Sequence, residues 1–133
     1  MLLLIEMDSA KPLYQQIRDQ IVRGIASGQL QAGSNLPPIR QLAADFGINL
    51  HTVNKAYELL QQEGLIELKP KIGAVIKIQP TLPEAWDDNL SNLLAEAVAH
   101  QIPSADIMER CRTLLAELVK QRAYGTHVFE KDE

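Results

Sequence analysis

A mainly α-helical fold with one small β-hairpin is what the 133-residue sequence predicts, and three observations predict it. Apolar residues recur every three or four positions over 13–25, 42–46 and 53–60, the spacing of amphipathic helices. The second and third of these runs are separated only by Gly47-Ile48-Asn49, the short glycine-containing turn of a helix-turn-helix. After Gly64 the pattern changes to two short β-like runs around a turn. Helix, helix-turn-helix, hairpin is the order of a winged helix. We place that winged unit at residues 1–79 and a two-helix tail at 80–133.

The elements follow in order. Leu13, Ile17, Ile21 and Ile25 recur every fourth residue, with Pro12 suited to the first turn and Gly28 to a left-handed stop. Leu30 and Leu36 flank a turn-rich stretch and are expected to plug into the core. Pro37-Pro38 starts a short second helix, expected to bury Leu42, Ala43 and Phe46 and to stop at Gly47. Asn49 is a good N-cap for the third helix, whose Val53, Ala56, Tyr57 and Leu60 lie on one face. Residues 65–69 and 74–78 are the hairpin strands. Thr81 and Glu84 have the spacing of a capping box for a fourth helix. Trp86, Leu90, Leu93, Leu94, Ala97 and Val98 are its apolar residues. Gln101-Ile102-Pro103 interrupts it. Ser104 is the expected cap of a fifth helix bearing Ile107, Cys111, Leu114, Leu115, Leu118 and Val119. From Gly125 onward the chain is expected to fray.

Composition narrows the function classes. Hydrophobic residues make up 46% and charged residues 23%, the balance of an ordinary globular chain, and the 5% aromatic content suits helices. One cysteine excludes a disulfide framework, and Cys111 is expected to be a buried structural thiol. His51, His100 and His127 have no local ligand spacing, so no metal or cofactor is expected. No apolar run approaches the ~18 residues of a membrane span. Met1–Glu6 lacks the basic start of a signal peptide. A cytoplasmic, reduced compartment is the expectation.

The net charge of −4 is unevenly spread. Residues 1–78 carry eight Lys/Arg against seven Asp/Glu, and residues 79–133 carry five against ten. A polyanionic partner must therefore meet a local basic face of the first part. The third helix opens with Asn49, His51, Thr52, Asn54 and Lys55, hydrogen-bonding side chains of the kind a major groove requires. Each alone also fits a solvated helix start. Arg40 lies near the start of the second helix, beside the groove in a helix-turn-helix. Lys69, Lys71 and Lys77 lie on the hairpin, where lysines also serve as edge protection.

An ordered set of residues resembles the DNA-binding domain of GntR-type bacterial regulators. It comprises Leu13-Tyr14-Gln15-Gln16-Ile17; Gly28, Leu30, Gly33, Leu36 and Pro37; Arg40, Leu42 and Ala43; Phe46-Gly47-Ile48; Thr52, Val53, Ala56, Tyr57 and Leu60; and Glu63-Gly64-Leu65-Ile66. The resemblance covers about residues 11–78, and the short tail is similar to the YtrA-type subfamily. It implies DNA contact by Arg40, Asn49, His51, Thr52 and Asn54, and entry of the hairpin turn around Lys71 and Gly73 into the minor groove. The chain departs from the family in having Leu50 where Arg or Pro is common. Its wing, Lys69-Pro70-Lys71-Ile72-Gly73-Ala74, lacks one glycine and one basic residue of the usual pattern.

These residues lead to the expectation of a sequence-specific, double-stranded-DNA-binding repressor without catalysis. The apolar faces of two helices cannot both be covered within so small a tail, so Leu90, Leu93, Leu94, Val98, Leu114 and Leu118 are expected to bury against a second copy. Any small-molecule effector, of unknown identity, is expected to bind weakly, because the tail offers few polar groups that converge on a pocket. A winged-helix protein-interaction module without DNA binding is the alternative, motivated by the near-neutral first part and the altered wing. A ligand-dependent enzyme lacks any recognisable catalytic set.

Overall fold

The structure, a computed structural model, describes residues 3–71 and 73–131, with the side chains of 3–71 and 73–122. The order of elements is α1 (Leu13–Ala26), β1 (Asn35–Leu36), α2 (Ile39–Phe46), α3 (Leu50–Gln62), β2 (Ile66–Lys69), β3 (Gly73–Ile76), α4 (Trp86–Ala99) and α5 (Ser104–Lys131). It is the mainly helical winged helix-turn-helix with a helical C-terminal part that the periodicities predict.

The core forms where the helical stripes meet. Ile17 and Ile21 of α1 and Val53, Ala56, Tyr57 and Leu60 of α3 are completely buried. Full burial of a large aliphatic side chain contributes roughly 1.5–3 kcal/mol, so this seam is the main source of stability. Two glutamines, one turn apart on α1, add the N-terminal arm. Gln16 accepts from the Glu6 N–H (2.9 Å) and donates to the Glu6 carbonyl (3.0 Å). Gln20 accepts from the Leu4 N–H (2.7 Å) and donates to the Leu4 carbonyl. Each side-chain amide pairs as a neighbouring strand would, and Leu3 is delivered into the core.

The sheet has a strand that the sequence does not announce. The order is β1-β3-β2, antiparallel throughout, with Leu36 opposite Ala74 and Glu67 opposite Val75. A two-residue strand has no period to read. The observed hairpin strands are shorter than expected. Lys77 and Gln79 nevertheless donate back to the Leu65 and Gly64 carbonyls, at 3.1 and 2.8 Å.

Several expectations are corrected. Leu42 and Ala43 are buried, but Phe46 is 38% exposed, because α2 ends there and its last turn overhangs the core. The Thr81–Glu84 capping box does not form. The chain turns through Pro83, whose carbonyl accepts from the Trp86 N–H (3.0 Å), and Ala85 occupies the cap without a side-chain hydrogen bond. Asp87 and Asp88 supply the negative charge that a helix N-terminus favours. Ser104 is the first residue of α5 rather than its cap; the Pro103 carbonyl accepts from Asp106 and Ile107. Helix α5 continues through Gly125 to Lys131. A lone glycine costs a helix only about 1 kcal/mol relative to alanine and does not by itself end it. Cys111 is exposed in the single chain, since nothing covers its face of α5 among the described residues.

The break between α4 and α5 is a Schellman turn. Gln101 adopts the left-handed conformation (φ 61), Ile102 donates to the Ala97 carbonyl (3.1 Å) and Gln101 to Val98 (2.9 Å). Helix α4 has no buried residue.

A charged cluster ties α1 to the end of α3. Arg18 grips Glu63 with Nε (3.0 Å to Oε1) and Nη2, and reaches Asp19 through Nη1 (2.9 Å). The Glu63 hydrogen bonds raise the Arg18 pKa above its ordinary value, against the opposing effect of burial. Burial pushes Asp19 up, but hydrogen bonds from Lys11, Arg18 and Gln15 together outweigh it and hold the carboxyl below its ordinary value. The folded state therefore binds the Asp19 proton less tightly than the unfolded chain does. The stability this confers is present above the ordinary carboxylate pKa of about 3.9 and is lost as pH falls through the folded value. Urea unfolding followed from pH 6 to pH 3 should show Asp19→Asn losing less stability than the parent. Parallel curves would remove Asp19 from the acid response.

Candidate nucleic-acid interface

The interface is built around the exposed first turn of α3. Glycine at position 47 takes the left-handed conformation (φ 64) that ends α2, and Ile48 donates back to the Ala43 carbonyl (3.0 Å). Only two residues then separate this turn from α3. The Asn49 side chain accepts from the His51 N–H (2.7 Å), a formed N-cap. Val53, Ala56 and Tyr57 hold the inner face, so His51 and Lys55 stay exposed, with Thr52 and Asn54 half-buried.

This cap makes a measurable contribution. Asn49→Ala should cost about 1 kcal/mol of stability through the lost capping bond, besides any phosphate contact. The change is read as a lower midpoint in urea unfolding; an unchanged midpoint would mean the bond contributes nothing.

Tyrosine 57 sets the position of α2. Its hydroxyl donates to the Pro37 carbonyl (2.7 Å) from a fully buried ring, so the chain entering α2 is bolted to α3. Burial raises the phenol pKa well above its ordinary value, keeping the donor protonated. Pro38 caps α2, and Arg40 is its second residue, exposed. The hairpin is brought to the same end. Gly73 has φ 103, and a Cβ built there would lie 3.7 Å from Pro38 Cα. With Leu36 paired to Ala74, the base of the wing abuts the start of α2.

The expected residues do not all behave alike. Arg40, Lys69 and Lys71 are exposed and form no ion pair among the described residues. Lys71 takes a left-handed conformation (φ 71) in the turn, which costs a non-glycine residue roughly 1–2 kcal/mol. Lys77 is paired with Glu67 (3.3 Å). Lys55 is drawn toward α1, its Nζ 4.0 Å from the centre of the Tyr14 ring. Asn54 donates to Glu58 (3.1 Å). Glu58 places a carboxylate one turn into the exposed face, where it repels phosphate and leaves the first turn as the part suited to DNA. Sequence reasoning missed three of these partners: Tyr14 under Lys55, Glu58 beside Asn54, and Pro37 on Tyr57. The four-residue spacing of Asn54 and Glu58 was a usable signal; the other two pairings depend on tertiary contact. Ile72 lies outside the described residues.

Among the described residues no helix is long and apolar enough to cross a membrane, and no cluster of His, Cys, Asp or Glu could hold a metal ion.

Comparison with known proteins gives this geometry its context. Residues 13–76 match the profile of the bacterial regulatory proteins of the gntR family. The HTH-type transcriptional regulator Rv1152 of Mycobacterium tuberculosis is 34% identical over 80 residues, spanning 59% of this chain and 66% of that protein. The HTH-type transcriptional regulator SmoD of Agrobacterium fabrum is 45% identical over 115 residues, 86% of this chain but only 47% of its own length. The chain thus spans about two thirds of one of these curated relatives and about half of the other. The solved structure of YtrA from Sulfolobus acidocaldarius, a GntR-family transcription factor, is 39% identical with a TM-score of 0.64. That match covers 74% of this chain and 99% of the other. These relatives are transcription regulators, not enzymes.

Proposed function

The chain belongs to the GntR family of transcription regulators, with a DNA-binding helix-turn-helix, and from that premise we propose that it is a repressor acting as a homodimer on a roughly palindromic operator. Residues 1–79 bind DNA and 80–133 dimerise. One observation carries the DNA side of the reading: the open first turn of α3, Arg40, and Lys69 and Lys71, which form no ion pair among the described residues, belong to elements that adjoin at one end of the winged part. Arg40, Asn49, His51, Thr52 and Asn54 are assigned to the major groove and its phosphates. Lys55, Lys69, Lys71 and Gly73 are assigned to the backbone and wing contacts. The acidic tail stays off the DNA.

Dimerisation is assigned to α4 and α5. Nine large apolar side chains from Leu93 to Val119 are exposed in the single chain, including Leu93, Leu94, Val98, Leu114 and Leu118. Leu90 is half-buried on the same helix. A monomer rarely leaves so much apolar surface wet, and a second copy of the same faces covers it by twofold symmetry. Half-sites then lie about 10 bp apart or a multiple of that. The reading includes a small-molecule effector.

Selection of bound duplexes from random DNA tests the reading and yields the operator. A roughly palindromic consensus is expected; recovery of no consensus overturns sequence-specific binding and favours the interaction-module alternative. Lys71→Ala then tests the wing. It should weaken operator and scrambled duplexes about equally and lower the salt slope by about 0.9 per protomer, measured by fluorescence anisotropy at several salt concentrations. An unaltered slope would take Lys71 off the phosphate.

A further inference from the structure

The described residues line a half-open cavity of ≈ 640 Å³ at the junction of the winged part and the tail. We propose that it binds an uncharged, largely apolar small molecule. This deepens the effector part of the reading above and is tested without DNA, so either can fail alone.

The cavity has walls from every part of the junction. Gln15, Arg18 and Val22 face it from α1, Leu59 and Glu63 from the end of α3. The chain from Gln79 to Pro83 and the first turn of α4 close the other side. A volume of this size lies within the ~300–1,000 Å³ typical of small-molecule sites.

Its chemistry selects the ligand. Among the described residues the only charged groups on the lining are Arg18 and Glu63, which are already bonded to each other. Their charges cancel, so the site has no surplus charge for an anion or a cation. Val22, Leu59, Leu65, Leu82 and Trp86 supply apolar surface. The side-chain amides of Gln79 and Asn89 bond to no other group among the described residues, leaving neutral donors and acceptors at the wall. A ligand seated here touches α1, α3 and α4 at once, and thereby fixes the tail relative to the helix-turn-helix.

Trp86 is the sole tryptophan and forms part of the wall, so binding has a built-in reporter. The probe is N-phenyl-1-naphthylamine, uncharged, set against its sulfonated relative 1-anilinonaphthalene-8-sulfonate. The full chain should bind the uncharged probe saturably, one per chain, with energy transfer from Trp86. The sulfonated probe should bind roughly tenfold or more weakly, because the site would have to desolvate an unpaired charge. Leu82→Asp, at a position 64% exposed on the linker, should weaken the uncharged probe by roughly tenfold. Asn89→Asp, at an exposed position of α4, is a second variant expected to do the same. Met7→Asp, at an exposed position of the N-terminal arm outside both the cavity and the tail's apolar faces, should bind as the parent does. The proposal is overturned by non-saturable binding, by equal affinity for the two probes, by parent-like binding in both cavity variants, or by loss in Met7→Asp alone. The last result would put the probe on the N-terminal arm.

Discussion

Replacing Leu93 and Leu114 together by aspartate is expected to leave a monomer of 14.8 kDa whose winged part is still folded. These side chains are 62% and 55% exposed in the single chain, so they contribute little to its own core. In the dimer the two substitutions put four carboxylates into one apolar interface. Each loses burial worth roughly 1.5–3 kcal/mol per leucine and adds the cost of an unpaired charge away from water. Operator affinity should fall with the dimer. Two linked half-site contacts gain about 10²–10⁴ over one through effective concentration, and a monomer forfeits that gain. Sedimentation at micromolar concentration reads the mass, and anisotropy on the operator reads the affinity. A parent chain that sediments as a monomer, or a double variant that remains a dimer, would overturn the assignment of α4 and α5.

What the sequence made legible is what repeats along it. The stripes of α1 and α3 were readable because their apolar residues fall at helical spacing and all end up in one core. Asn49 was readable as a cap because capping is local, and its bond to the His51 N–H forms as expected. The failures are tertiary. Strand β1 is two residues long and exists only because β3 accepts it as a partner. Phe46 matched the helical stripe, but the helix ends before that stripe reaches the core. The capping residues expected of Thr81 and Ser104 yielded to proline turns, in which backbone carbonyls take over the capping bonds. The position of Arg40 rests on the hydroxyl of Tyr57, twenty residues from the carbonyl it holds. The junction cavity was invisible for the same reason: its walls come from three stretches of chain that no spacing connects.

Arg40→Ala is expected to have the largest effect of any single DNA-facing substitution. The Tyr57–Pro37 hydrogen bond and the cap at Pro38 fix the start of α2 against α3. Ile39, Leu42 and Ala43 pack inward and hold the helix in rotation, so Arg40 points away from the core. It has no carboxylate partner among the described residues, and its guanidinium is available for two parallel hydrogen bonds to a guanine edge. Such a pair contributes ~1–3 kcal/mol of discrimination, a loss of roughly 5- to 150-fold on the operator. Scrambled duplexes should lose much less, so specificity falls along with affinity. Stability should be unchanged, since alanine at an exposed position of the first turn removes no packed atom. Arg40→Lys separates charge from geometry. Lysine keeps the cation but lacks the planar fork, so it should preserve the salt dependence while losing most of the discrimination. Anisotropy on operator and scrambled duplexes, with urea unfolding as the control for folding, distinguishes the outcomes. If Arg40→Ala binds both duplexes as tightly as the parent, Arg40 touches no DNA and recognition rests on the first turn of α3 alone. If Arg40→Lys matches the parent on both, Arg40 acts as a phosphate contact and the base is read elsewhere.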